Sequence, residues 1–306
     1  MLKVEADIFS GRSNPEWVLD ETESFDVLRA VANRRGVVAE LDSGRQGLGF
    51  RGLTLSVMDD SAGERYDLPT RFRIAGGGSA DEAHGFEIAE RLIAGMPVDD
   101  QAEAAESVMS AGVRDLLRDQ LANPPFASAP QERSGPLYTR DEPGTGDPEA
   151  GGVSAAAACA YWATAFNPGF WNDDSYVRQN NNCYNYAVNR RTNTFAQPGR
   201  ASGFTAAMSC PSVRQGALLD GAHQWGHCFP GGTGGIWVMA LVVAPGFDYH
   251  WYRYSAEGFW GHKPGGTAAK NTDNNGALIT NPSTAARGPY TNFCGYFQAA
   301  YTMRIS

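Results

Sequence analysis

The sequence predicts an α+β protein with two domains, and three observations lead to this prediction. The chain has 306 residues, 42% hydrophobic and 19% charged, so it can bury a sizeable core. Patterns typical of strands and of helices occur in both halves. Residues 1–150 carry 28 acidic and 15 basic side chains, whereas residues 151–306 carry 6 and 10. We therefore expect a small acidic α+β domain over 1–122, a linker over 123–152 and a second domain over 153–306.

The elements of the first domain follow from its hydrophobic periodicity. Residues 2–8 alternate apolar and polar side chains, which is the period of a half-buried strand. Apolar residues three and four apart predict helices, and short β-branched runs predict strands. We expect helices over 21–35, 81–94 and 99–121, and strands over 51–59 and 66–74. Residues 123–152 are rich in Pro, Gly and Ser and offer little to bury, as in a linker.

The second domain is rich in Gly, Asn and aromatic residues. All five cysteines, four of the five histidines and six of the seven tryptophans follow residue 150, so the chemistry is expected here. The patterns predict a short helix over 155–165, a loop over 167–182 and a helix from Cys183. Apolar and aromatic runs then predict antiparallel strands over 236–244, 248–254, 258–265 and 292–305.

Cys183 lies in the segment NNNCYNYAVNRR, where Asn residues precede a stretch compatible with a helix. Asn is a good helix cap, so Cys183 is predicted in the first turn. The N–H groups there favour a thiolate and can hold an oxyanion, as a nucleophilic cysteine requires. Because five cysteines is an odd number and the sequence starts without an export signal, we do not expect a disulfide framework.

His250 and His262 lie on two predicted strands, with the turn-forming stretch 255–258 midway between them. A hairpin centred on Ala256 would pair the two histidines directly and on one face. One imidazole beside Cys183 is expected to act as base, and the second to orient it. Asp273 or Asn271 is an alternative third residue if His262 is the base.

These features resemble the NlpC/P60 group of papain-like cysteine peptidases over about residues 156–270. That group has a cysteine at the start of a helix, then an apolar strand, then a hairpin with a histidine on its first strand and a second polar residue, commonly histidine, on the next. The resemblance implies a papain-like domain with an antiparallel sheet, Cys183 as nucleophile, His250 as base and His262 as third member. Further candidates, for the oxyanion site or the third position, are Gln179, Asn180, Asn182 and Asp273. Candidates for the substrate cleft are Tyr184, Trp251 and Trp260.

The expected function is thiol-dependent hydrolysis of a peptide or protein amide bond, without a cofactor. An acyltransferase or deamidase with the same triad, or a non-enzymatic binding module, are the alternatives. A zinc site in HQWGHC (223–228) with Cys210 is not favoured, because Gln224 replaces the general base of a zinc protease. We therefore predict no metal.

The partner predictions rest on charge and hydropathy. The net charge of −9 argues against nucleic-acid binding, and the longest uncharged apolar run is too short for a membrane span. We expect a cytoplasmic protein, with secretion by a dedicated system as the alternative. The acidic first domain and the basic second half are expected to attract one another.

Overall fold

The computed structural model describes residues 1–59, 65–99, 107–126, 163–224 and 236–306. These residues form both helices and sheets, as the predicted α+β class requires. The chain divides into two compact units. The first unit contains Met1–Phe9 and Ser13–Phe126, and the second contains Ser10–Arg12 and Ala127–Ser306. The tripeptide Ser10–Arg12 thus belongs to the second unit although it lies near the start of the chain.

The first unit is built on a four-stranded antiparallel sheet. In chain order its strands are β1 (Leu2–Asp7), β2 (Glu16–Val18), β3 (Gly52–Val57) and β4 (Arg71–Ile74), and their spatial order is β2-β1-β3-β4. Buried and partly exposed residues alternate along β1, as its sequence predicts.

Three α-helices of eight or more residues are described in the first unit: α1 (Glu21–Asn33), α2 (Glu82–Ala94) and α3 (Ala111–Ala122). Asp20 begins α1 through a capping box with Glu23. The helix predicted over 99–121 is shorter than expected, because Ser110 caps α3 and the preceding described residues form a turn.

The second unit contains a five-stranded antiparallel sheet. Its strands are β5 (His223–Gln224), β6 (Ile236–Ala244), β7 (Asp248–Tyr254), β8 (Trp260–His262) and β9 (Asn292–Ala300), in the spatial order β5-β9-β6-β7-β8. Strand β6 lies at the centre and is buried on both faces, which explains its continuous apolar sequence. The prediction of these strands is confirmed for β6, β7, β8 and β9.

The helices of the second unit are short. They are α4 (Gly169–Asn172), α5 (Ser175–Asn180), α6 (Cys183–Ala187) and α7 (Cys210–Leu219). The segment predicted as a loop over 167–182 therefore contains two helices, and Asp174 caps the second by accepting from the N–H groups of Tyr176 and Val177. Most of the helix predicted over 155–165 lies outside the described residues, and residues 163–165 are not helical.

The β7–β8 hairpin differs in register from the prediction. Tyr252, not His250, pairs with His262, so the hairpin is centred on Glu257 rather than on Ala256. The partner of His262 on β7 is thus shifted by two residues from the predicted one. Because side chains alternate with a period of two along a strand, the two histidines still share one face of the sheet.

A disulfide joins Cys210 to Cys294, with 5.4 Å between their Cα atoms. Cys210 is the first residue of α7, and Cys294 is the extra residue of a β-bulge between β9 and β6. A bulge redirects a side chain out of the regular ladder. This disulfide is present although the sequence did not lead us to expect a disulfide framework, and Cys183 is a free thiol.

Candidate functional site

Cys183 is the first residue of α6, as predicted, and Asn182 caps the helix. The Asn182 Oδ1 atom accepts from the backbone N–H groups of Tyr184 (3.0 Å) and Asn185 (3.1 Å). The Asn185 side chain accepts from the N–H of Asn182 in return, which completes a capping box. Two N–H groups expected to face an oxyanion are thus satisfied by the cap.

The Cys183 thiol is completely buried. Its Sγ atom lies 3.9 Å from the Ser10 hydroxyl and 3.9 Å from the Tyr249 carbonyl oxygen. Burial raises the pKa of the thiol far above its usual value, and the carboxylate of Asp248 raises it further. Cys183 is therefore a neutral thiol here, and not the thiolate expected from its place at a helix start.

A line of hydrogen bonds runs from the neighbourhood of Cys183 across two strands. The Ser10 Oγ atom lies 2.8 Å from His250 Nδ1, and His250 Nε2 lies 2.9 Å from His262 Nδ1. The far nitrogen of His262, Nε2, lies 3.0 Å from the Thr272 carbonyl oxygen. We call these four groups the histidine relay. Ser10 and both histidines are at most 1% exposed.

The protonation of the histidine relay follows from its last member. A carbonyl oxygen only accepts, so His262 carries its proton on Nε2. Burial, with a smaller contribution from Lys270, lowers the pKa of His262 to about 3, so the ring is neutral at pH 7. Its Nδ1 atom then accepts from His250 Nε2–H. A neutral His250 accepts from the Ser10 hydroxyl through Nδ1, whereas a protonated His250 donates to Ser10, whose hydroxyl then donates to the Tyr249 carbonyl.

Ser10 is a site residue that the sequence did not indicate. It lies 173 positions before Cys183 and 240 positions before His250 in the chain. Its sequence surroundings, SGRSNP, are typical of a turn and carry no catalytic pattern. Only the tertiary structure brings its hydroxyl against the histidine.

The remaining oxyanion and third-member candidates do not join the histidine relay. Gln179 is exposed in the last turn of α5, and Asn180 donates its side-chain amide to the Tyr176 carbonyl. Asn182 acts as the helix cap. Asp273 accepts from three backbone N–H groups of its own loop, in residues Asn275, Ala277 and Ala286. It is the carbonyl of the preceding Thr272 that reaches His262.

The three aromatic residues predicted to line a substrate cleft lie in the interior. Tyr184 and Trp251 are completely buried and belong to the main apolar core of the second unit. Trp260 is 1% exposed and packs beside Tyr254 and Tyr296. These side chains stabilise the fold and do not face an open cleft.

Within the described ranges, no group of histidine, cysteine and acidic side chains is arranged to hold a metal ion. Cys210, considered as a zinc ligand, is in the disulfide. His227 and Cys228 lie outside the described residues. In the same ranges, no helix has the length and apolar character needed to cross a bilayer.

Insoluble matrix shell protein 1 of Ruditapes philippinarum is 42% identical to the chain over 160 residues. The match covers 50% of this chain and 99% of the relative. The chain belongs to the family of this shell protein. Almost the whole of insoluble matrix shell protein 1 thus corresponds to half of the present chain. No family model and no solved structure matches the chain.

Proposed function

We propose that the second unit is a papain-like domain with a thiol-dependent hydrolase or acyl-transfer site, and that Ser10–Arg12 keeps this site closed. Cys183 is the nucleophile, His250 the base and His262 the orienting residue. The observation that supports the proposal is the histidine relay. It places His250 Nδ1 against Ser10 Oγ, and Ser10 Oγ is also the polar atom 3.9 Å from Cys183 Sγ.

The closed state explains why the thiol is not ionised. The Ser10 hydroxyl contacts both the thiol and the imidazole, and no solvent reaches either group. Release of Ser10–Arg12 hydrates Cys183 and so reduces the burial that raises its thiol pKa. It also removes the Ser10 hydroxyl from His250 Nδ1, which then accepts the thiol proton.

The chemistry then follows the usual course of a cysteine nucleophile. The thiolate attacks a peptide carbonyl, a C–S bond forms and the C–N bond breaks, and the proton on His250 passes to the leaving amine. Water or another acceptor cleaves the thioester and restores the thiol. His262 keeps its Nδ1 atom as acceptor for His250 throughout, because Thr272 fixes its tautomer.

A second candidate is a non-enzymatic module in which the histidine relay is a static polar network. Two observations favour it. The thiol and both imidazoles are at most 1% exposed, and a fully satisfied buried network fixes one packing arrangement. The second observation is the name of the relative, insoluble matrix shell protein 1, which describes a component of a matrix.

The disulfide also bears on where the protein works. Disulfides persist in oxidising compartments and are rare in the cytosol. The Cys210–Cys294 bond, together with the name of the relative, favours an oxidising compartment over the cytoplasmic location expected from the sequence.

Opening the site tests the proposal. A Cβ atom on Gly11 would lie 2.6 Å from the Tyr249 ring, so Gly11→Ala displaces Ser10–Arg12. The matched control is Gly95→Ala, whose Cβ meets only an ordinary contact at 3.6 Å. The measurement is iodoacetamide labelling of Cys183 against pH, read by mass spectrometry, in each variant and in Gly11→Ala combined with His250→Ala.

We expect Cys183 to label at least tenfold faster in Gly11→Ala than in Gly95→Ala, with an apparent pKa below about 8.5 that rises when His250 is removed. A peptide library should then be turned over by Gly11→Ala only. If Cys183 stays unreactive although exchange of the Ser10–Arg12 amides shows release, the static module is correct. Product analysis separates hydrolysis, acyl transfer and deamidation.

A further inference from the structure

We propose that the second unit contains a receptor site for the main chain of a peptide that bends at the pattern Ser-Gly-Arg, and that Ser10–Arg12 is its intramolecular occupant. The ligand class is a polypeptide segment with a glycine followed by an arginine. The inference deepens the proposed function, since the same site would present a substrate to Cys183. Binding itself does not require a reactive thiol.

Asp248, the first residue of β7, collects the N–H groups of the tripeptide. Its Oδ2 atom accepts from Ser10 N at 2.6 Å, and its Oδ1 atom accepts from Arg12 N at 3.1 Å. The N–H of Gly11 lies 3.2 Å from both oxygens. Hydrogen bonds to an ionised acceptor are stronger than neutral ones, so three successive amides on one carboxylate hold the peptide firmly.

Two of the three carbonyl groups of the tripeptide also accept hydrogen bonds from the second unit. Gly11 O accepts from Asn182 Nδ2 at 2.8 Å, Gln197 Nε2 at 2.7 Å and the Tyr249 hydroxyl at 3.1 Å. Ser10 O accepts from the backbone N–H of Gly265 at 3.1 Å. All five of these main-chain groups, three N–H and two C=O, therefore have partners in the second unit, as in a bound peptide ligand.

Side-chain contacts give the site its selectivity. The Gly11 position excludes a Cβ atom, which would lie 2.6 Å from the Tyr249 ring and 2.7 Å from the Tyr249 carbonyl oxygen. The Arg12 guanidinium donates to the Phe247 carbonyl at 2.7 Å, and the Ser10 hydroxyl meets His250. Glycine is thus required, and arginine and serine add specific contacts.

The length of the segment supports a receptor interpretation. Of the chain before residue 127, only the three residues Ser10–Arg12 belong to the second unit, and their neighbours Phe9 and Ser13 belong to the first. The donors and acceptors that hold the tripeptide come from the cap of α6, from Gln197, from the start of β7 and from Gly265. A short peptide that carries the same three residues presents the same groups.

The test measures the binding of acetyl-Phe-Ser-Gly-Arg-Ser-Asn-amide to the full chain by isothermal titration calorimetry. The host is Gly11→Ala, whose own segment is displaced, and Gly11→Val is the second host. The control peptides replace glycine by alanine, or arginine by glutamine. Exchange of the Ser10–Arg12 amides reports release, and exchange in β6 and β7 reports that the second unit is folded.

We expect saturable binding to Gly11→Ala, at least tenfold weaker binding to the wild-type chain, and at least tenfold weaker binding of the alanine peptide. Equal binding of the glycine and alanine peptides, or no binding to a folded host with its segment released, overturns the inference. A segment that stays protected in both hosts also overturns it, because the steric argument then fails.

Failure of this inference can be told from failure of the proposed function. Calorimetry of the Gly11→Ala host measures peptide binding, and iodoacetamide labelling of the same host measures the reactivity of Cys183 independently. If the peptide binds but Cys183 is unreactive, the receptor site is supported and the proposed enzymatic function is rejected. A reactive Cys183 without peptide binding removes only the ligand class.

Discussion

Asp7 in the first unit is largely buried and Asp248 in the second is completely buried, and the two carboxylates are stabilised by different kinds of partner. Asp7 faces two guanidinium groups, Arg51 at 2.5 Å and Arg73 at 3.4 Å. Asp248 faces the Tyr290 hydroxyl at 2.5 Å and three backbone amides, and no guanidinium or ammonium group is recorded within salt-bridge distance among the described residues.

The two environments shift the carboxyl pKa values in opposite directions. Burial raises the pKa of Asp7, but the charges of Arg51 and Arg73 outweigh it, and the pKa is lowered. At Asp248 burial dominates over the hydrogen bonds, and the pKa is raised. The charges of Arg51 and Arg73 stabilise the ionised form of Asp7 within the first unit. The ionised form of Asp248 is stabilised by the amides of a short segment, so its stability depends on that segment staying in place.

The largest expected effect comes from removing the countercharge of Asp7. Arg51→Met leaves the largely buried carboxylate with the weaker Arg73 contact and the Asn14 amide, which should cost about 3–5 kcal/mol of the free energy of unfolding of the first unit. Arg71→Met is the matched control, because Arg71 pairs with Glu5 at 3.3 Å with 44% of its side chain exposed. That pair should contribute at most about 1 kcal/mol. Amide exchange in β1 and β3 measures the loss of stability in both variants. Equal losses would mean that Arg51 stabilises the first unit no more than Arg71 does.

An intermediate effect is expected at Asp248. In Asp248→Asn either orientation of the amide points its NH2 group at a hydrogen-bond donor, since both oxygens accept in the wild type. The free energy that holds Ser10–Arg12 in place should fall by about 1–3 kcal/mol, which is measured as faster amide exchange at these three residues. Asp220→Asn is the control: Oδ2 accepts from Tyr184 and Gly199, while Oδ1 has no hydrogen-bond partner in the described structure, so the NH2 group is tolerated there. If both variants leave exchange at Ser10–Arg12 unchanged, Asp248 does not hold the segment.

The same contrast shows what the sequence could predict. Local patterns were sufficient for β1, for β6 and for the cap at Asn182, because each depends on neighbouring residues alone. The shared face of His250 and His262 was also predictable, since an error of two residues in register preserves the face.

Contacts between distant parts of the chain could not be predicted. Ser10 lies in a turn pattern, and its approach to His250 depends on the tertiary structure. Cys210 and Cys294 are 84 residues apart and meet through a β-bulge that leaves no clear sign in the sequence. The burial of Cys183 is likewise tertiary, which is why a helix-start cysteine carries a neutral thiol instead of a thiolate.

The smallest expected effect concerns His262, where burial dominates as it does at Asp248 but acts on a base. Its pKa of about 3 lies below the ordinary value of 6.5, so the unfolded chain binds the extra proton between these two pH values. The contribution of neutral His262 to the free energy of unfolding is complete above pH 6.5 and is lost as the pH falls towards 3. Between pH 7 and pH 6 this amounts to about 0.7 kcal/mol.

His262→Gln has no titrating ring, so the difference in unfolding free energy between wild type and variant should shrink by that amount from pH 7 to pH 6. Amide exchange in β6 and β7 gives the measurement, and His84→Gln on α2 is the control in the first unit. A difference that stays constant over this range would mean that His262 takes up its proton equally in the folded and unfolded chain. The neutral state of His262, and with it the assigned direction of the His250–His262 hydrogen bond, would then be wrong.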